Sequence, residues 1–177
     1  MGRGVHLSYS ADLEAKVVRL TMIPDHHNLA EMFSNVTSSM LDLDCEASTD
    51  GHDVGLYHTT AVLPIPGDGG FTLAISSDLQ GCTSLSAAMF AVETTEVDSE
   101  MINDTLAELA NMAAGQLKGM LHLQNSLGLP IVKPTSDYRA KVSTGGGWSH
   151  YPMKAGKAKV LLSITTETSV AEEYMRS

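Results

Sequence analysis

The chain has 177 residues, 43% hydrophobic and 18% charged, which suits one globular domain with a sizeable core rather than a disordered segment. A formal net charge of −10, without clustered Lys and Arg, excludes a nucleic-acid binder that works by displacing counterions. No apolar run reaches the roughly 18 residues of a membrane span, and Asp12, Glu14, Lys16 and Arg19 interrupt any secretory h-region.

Residues 15–23 alternate Val18, Leu20 and Met22 against Arg19 and Thr21, a strand pattern. Pro24-Asp25 then predicts a helix with Asp25 as N-cap, running to about Leu43 with Leu29, Met32, Phe33, Val36 and Met40 on its apolar side. Neighbouring residues on a helix point about 100° apart, so Asp25, His26 and His27 are not expected to chelate one ion; no metal site is predicted. Residues 44–54 are polar and read as loop. Tyr57–Ile65 and Phe71–Ser76 read as strands joined by a Pro66–Gly70 hairpin turn. Those glycines lack the following Lys-Ser/Thr of a phosphate-binding loop.

Asp78 is expected to cap a helix through Phe90, with Leu79, Cys82, Leu85 and Met89 inward. A longer helix follows over 98–122. Further strands are predicted at Leu129–Lys133, Tyr138–Ser143 and Lys157–Thr166, and Gly145-Gly-Gly147 with Trp148 reads as a flexible turn. The expected fold class is α+β: long helices packed on a largely antiparallel sheet, with helix-then-strands repeated over 25–76 and 98–166. Residues 1–14 and 168–177 stand outside it, as a possible flexible N-terminal segment and a C-terminal tail. Cys45 and Cys82 have no paired spacing and read as buried or idle thiols of a cytoplasmic protein.

The 98–122 helix carries the chemistry. Wound at 100° per residue, it predicts Ile102, Leu106, Leu109, Ala113 and Met120 on one side and Asp104, Glu108, Asn111, Gly115, Lys118 and His122 on the other. Glu108 and Asn111, at i and i+3, project together so that one partner molecule meets both. A carboxylate suits a cation, whereas a carboxamide both donates and accepts, so Asn111 is able to hold a water while touching a reacting group. Such positioning supplies most of the catalysis in phosphoryl transfer. Gly115, on the same stripe, permits close approach of another backbone. The bland alternative is a solvated helix face, against which Asp104 argues mildly: it repels Glu108 at i+4.

Asp104-Thr-Leu-Ala-Glu108-Leu-Ala-Asn111, with Pro130 and Pro134 downstream, resembles the signature of the CheC/CheX/FliY family of chemotaxis phosphatases. Asn111-Met-Ala-Ala-Gly115-Gln-Leu-Lys and Leu127-Gly-Leu-Pro130-Ile-Val-Lys-Pro134-Thr are most similar to the CheX branch. The specific match covers about 40 residues; the order of elements extends it loosely from about Met22 to Thr166. The resemblance implies a phosphatase that hydrolyses the aspartyl phosphate of a CheY-like response-regulator receiver domain. By that resemblance Glu108 pairs with the receiver's lysine, Asn111 orients the attacking water, and Asp104 and Gly115 support them. It implies no cofactor of the chain's own, Mg²⁺ being carried by the receiver, and it implies a homodimer. The CheC branch carries its signature twice, but here the first helix offers only Glu31-Met-Phe-Ser-Asn35, one residue too long. One active site is therefore expected.

Two other functions stay open on sequence: a non-catalytic CheX-like module that docks receivers or flagellar-switch components, and a purely structural dimer. An acidic chain gains little long-range attraction to an acidic receiver site, so recognition is expected to be short-range.

Overall fold

Three aspartates start the three helices. The computed structural model describes residues 23–50, 53–137 and 147–166. In it Asp25, Asp78 and Asp98 accept the backbone N–H groups of Asn28, Gly81 and Met101, at 2.9, 3.0 and 2.9 Å. Each cap satisfies a donor the helix leaves orphaned, worth about 1 kcal/mol. The helices are α1 (His26–Leu41), α2 (Leu79–Phe90) and α3 (Ser99–Met120). Asp42 and Ala91 end the first two in the left-handed conformation.

Six strands form one antiparallel sheet: β1 (Cys45–Ala47), β2 (Thr59–Ile65), β3 (Phe71–Ser77), β4 (Ile131–Pro134), β5 (Trp148–Ala155) and β6 (Ala158–Thr165), in the order β1-β5-β6-β3-β2-β4. Exchanging β1, β2 and β3 for β4, β5 and β6 turns that order into its own reverse. The expected two-fold repetition is therefore real: α1 leads β1–β3 and α3 leads β4–β6. The hairpins β2–β3 and β5–β6 meet at the centre, and each half's first strand crosses to the other half's hairpin.

One side of the sheet faces the helices. Ala61, Leu63, Ile65, Leu73, Ile75, Val160, Leu162 and Ile164 pack there with Leu29, Phe33, Val36, Leu85, Leu106, Leu109 and Leu117. Along each strand these alternate with Thr60, Val62, Thr72, Ala74, Ser76, Ser163 and Thr165, which are also buried. Burying a hydroxyl requires a partner: Thr60 Oγ1 lies 2.7 Å from Ser76 Oγ and 2.8 Å from Thr135 Oγ1.

The structure corrects several local expectations. The segment 44–54 is not all loop, since β1 pairs with β5 there. Trp148 opens strand β5 rather than closing a turn. Pro152 within that run argues against a strand, yet its carbonyl accepts Ser48 N–H at 2.8 Å and the carbonyl side of the residue stays useful. Leu79 is exposed rather than inward. The expected Tyr138–Ser143 strand, residues 1–14, the 15–22 part of the first strand, most of the Gly145–Gly147 turn and the tail lie outside the described residues. Among the described residues no helix is long and apolar enough to cross a membrane.

Candidate functional site

α3 lies on β2 and β3 and against α1 and α2. Its buried side is Thr105, Leu106, Leu109, Ala110, Ala113, Ala114 and Leu117. Ile102 is only partly buried, and Met120, expected inward, is 42% exposed. Thr105 is tolerated inside because its Oγ1 donates to the Met101 carbonyl at 2.7 Å. Ala110, Ala113 and Ala114 are fully buried in the core, which fixes the rotation of everything on the outer side.

That outer side is the predicted stripe. Asp104, Glu108, Gly115 and His122 are exposed, and Asn111 and Lys118 are partly exposed. Asn111 Nδ2 donates to Glu108 Oε2 at 3.5 Å, the long limit of a hydrogen bond. Among the described residues this is the one side-chain hydrogen bond of either group. Asn111 keeps its carbonyl oxygen and a second N–H available, and Glu108 keeps most of its acceptor capacity. The pair is thus aligned on one side and underused. Such a pair is equipped to meet a cation with the carboxylate and a water with the amide.

α3 carries a second glycine, Gly119, four residues beyond Gly115 and on the same side of the helix. A Cβ built on either meets nothing within 4 Å. Gly115, inside the helix, costs it about 1 kcal/mol relative to alanine, whereas Gly119 is its second-to-last residue. Gly81 in α2 differs, since a Cβ there falls 2.6 Å from Asp78 Oδ1 and 3.0 Å from Ala158 Cβ. Gly115 and Gly119 line an open depression of about 620 Å³ with Met112, Gln116 and Met120.

The downstream half of the sequence signature is structural. Leu123 N–H bonds the Lys118 carbonyl, and Asn125 Nδ2 reaches the carbonyls of Pro66 and Asp68 at 2.7 and 3.3 Å, tying the chain after α3 to the β2–β3 turn. Gly128 N–H bonds the Pro64 carbonyl at 2.8 Å, and a Cβ on Gly128 would sit 2.7 Å from that oxygen. Leu127-Gly-Leu-Pro130 therefore guides the chain into β4.

The other polar candidates are placed away from this stripe. Glu31 and Asn35 are exposed on α1. His26 Nε2 lies 2.8 Å from the Pro152 carbonyl and its ring tilts against Tyr151. Cys45 and Cys82 are free and buried; burial, then the neighbouring Glu46 carboxylate, pushes the Cys45 thiol up to about 12, and burial raises Cys82.

The family model for the chemotaxis phosphatase CheX matches residues 59–154, which include the Glu108–Asn111 pair. The chain belongs to the CheX family. It is similar to the CheX–CheY–BeF3–Mg²⁺ complex from Borrelia burgdorferi, with 17% identity over 81% of this chain and 97% of that one and a TM-score of 0.63. It is similar to CheX from Vibrio vulnificus, with 14% identity over 80% and 96% and a TM-score of 0.61. It is also similar to the FliM–SpeE complex from H. pylori, with 11% identity over 91% and 92% and a TM-score of 0.59. At these identities the likeness establishes the fold. No curated protein sequence matches.

Proposed function

We propose that this CheX-family chain hydrolyses the aspartyl phosphate of a CheY-like receiver, with Glu108 docking the receiver's active-site lysine and Asn111 positioning the attacking water. The observation that carries the reading is the pair itself: two polar side chains side by side in solvent, bonded loosely to each other and to nothing else described. Its presence inside the family match, and a CheX relative captured with CheY, BeF3 and Mg²⁺, support the same partner. An acyl phosphate is already activated, so aligned water and electrostatic positioning suffice, with no nucleophile from this chain. Mg²⁺ is expected on the receiver. Asp104, one turn before Glu108, and Gly115, one turn beyond Asn111, are the supporting positions. The reading places the protein in the cytoplasm, where receivers act.

The test is loss of label from a panel of phosphorylated receivers of the host. Wild type is expected to accelerate it for at least one of them; no acceleration with any receiver rejects the reading.

The likeness to a FliM complex favours a second reading, a CheX-like module that binds without hydrolysis, because one fold serves several functions. It predicts a complex whose lifetime changes on Glu108→Ala while the phosphate half-life does not. Pairing through sheet edges is also proposed: β1 and β4 are the edge strands, and Leu129 beside β4 is 84% exposed. Sedimentation of a dimer that Leu129→Glu dissociates supports it, and a wild-type monomer rejects it.

A further inference from the structure

α3 carries a hydroxyl where the other two helices carry hydrocarbon. Counted from the three aspartate caps, the seventh residue is Met32 in α1, Leu85 in α2 and Thr105 in α3, and all three are buried. The fold thus accepts an apolar side chain at this level, and threonine is a poorer helix former than either. Thr105 is fully enclosed, and its Oγ1 donates to the Met101 carbonyl at 2.7 Å. A bond of this kind back to residue i−4 slightly destabilises a helix rather than supporting it. Across the contact with α2, the equally enclosed Ser86 Oγ donates to the Cys82 carbonyl at 2.7 Å and lies 3.5 Å from the same Met101 carbonyl.

Elsewhere the buried side of α3 is leucine and alanine. Apolar burial is non-directional, so such a surface resists separation but leaves small rotations about the helix axis cheap. Hydrogen bonds have an angular preference, and inside a low-dielectric contact they oppose that rotation. Thr105 precedes Glu108 by three residues and Asn111 by six on one rigid helix, so it sets the direction of both. We propose that Thr105 is a positioning residue: with Ser86 opposite, its hydroxyl holds α3 at the rotation that aims Asn111 at the attacking water. The role rests on the receiver reading above and deepens it. Glu108 has the longer side chain and absorbs a small turn of the helix, whereas the shorter Asn111 does not. Hydrolysis therefore suffers before docking, since a displacement of about 1 Å at a reacting group costs up to about 10²-fold.

The measurements are kcat and KM for one responsive phosphorylated receiver, with thermal melting, for wild type, Thr105→Val, Thr105→Ser and Asn111→Ala. Valine keeps the shape and deletes the hydroxyl, whereas serine keeps the hydroxyl and deletes a methyl group. Thr105→Val is expected to lower kcat about tenfold at unchanged KM while melting close to wild type. Thr105→Ser is expected to melt lower, yet to keep kcat within about twofold of wild type. Stability and activity thus rank the two variants in opposite orders, which a packing role alone does not produce. A wild-type kcat in Thr105→Val overturns the inference, as does a kcat that falls in step with melting across both variants. If Thr105→Val fails to fold, Thr105→Ala carries the same expected loss of about tenfold in kcat and the same power to overturn. A wild type that accelerates no receiver, or a normal kcat in Asn111→Ala, overturns the receiver chemistry and this role with it, and is told apart because the fault then lies outside position 105.

Discussion

α1 and α3 hold equivalent places in the two halves, each leading three strands from an aspartate N-cap and each carrying a Glu and an Asn outward. They spend their polar side chains differently. On α1, Ser34 Oγ accepts Cys45 N–H at 2.9 Å, Ser38 Oγ donates to the Leu43 carbonyl and Asp44, and His26 meets the Pro152 carbonyl. Those groups hold β1 and β5 in place. On α3, the Glu108 and Asn111 side chains hydrogen-bond only to one another among the described residues, and Gly115 stands where the fold has room for a side chain. One helix is polar for the sake of its own chain. The other leaves its polar pair open to solvent, and on the proposed function that asymmetry separates a scaffold half from a working half.

The largest effects belong to the shared inner sides. Leu109→Ala is expected to cost about 2–5 kcal/mol and Phe33→Ala about 3–5 kcal/mol in urea denaturation, because both side chains are fully buried under the sheet. A much smaller loss in either half would break the equivalence of the two helices. Gly81→Ala is expected to destabilise by about 1–3 kcal/mol by overpacking, opposite in sign to alanine at Gly115, where an added Cβ meets nothing. Matching signs would remove the distinction between a glycine the fold requires and one it does not. Ser34→Ala is expected to cost about 0.5–1.5 kcal/mol, since it leaves Cys45 N–H without its acceptor. Glu108→Ala, by contrast, should fall within about 0.5 kcal/mol of wild type. A separate effect is one of pH, and it is confined to alkaline solution. The Cys45 thiol titrates at about 12 in the folded chain against 9.0 as a free thiol. Its folded pKa is raised, so the associated stability is intact below pH 9 and is lost as pH climbs from 9 toward 12. Chemical denaturation across that range should follow this decline, and Cys45→Ala should flatten it.

How much was legible follows from the same contrast. The candidate pair was visible because a 22-residue helix repeats its phase many times, so a stripe such as Asp104, Glu108, Asn111 and Gly115 is fixed by angle alone. Helical phase was less reliable near the end of α3, where Met120 turns toward the depression instead of the core. Asp25 and Asp78 marked helix starts because capping is local chemistry. β1 and β5 were missed for the opposite reason. A three-residue strand has no period to read, and β5 carries Pro152 and polar residues that only pairing with β6 and β1 stabilises.

The central claim is that Asn111, and not its counterpart Asn35, does chemistry on a guest protein's phosphate. Single-turnover decay of one phosphorylated receiver mixed with excess wild type, Asn111→Ala or Asn35→Ala tests it directly. A loss of about 10² or more in rate for Asn111→Ala, with Asn35→Ala matching wild type, is the expected result. Equal rates for all three proteins, or a loss confined to Asn35→Ala, would contradict it.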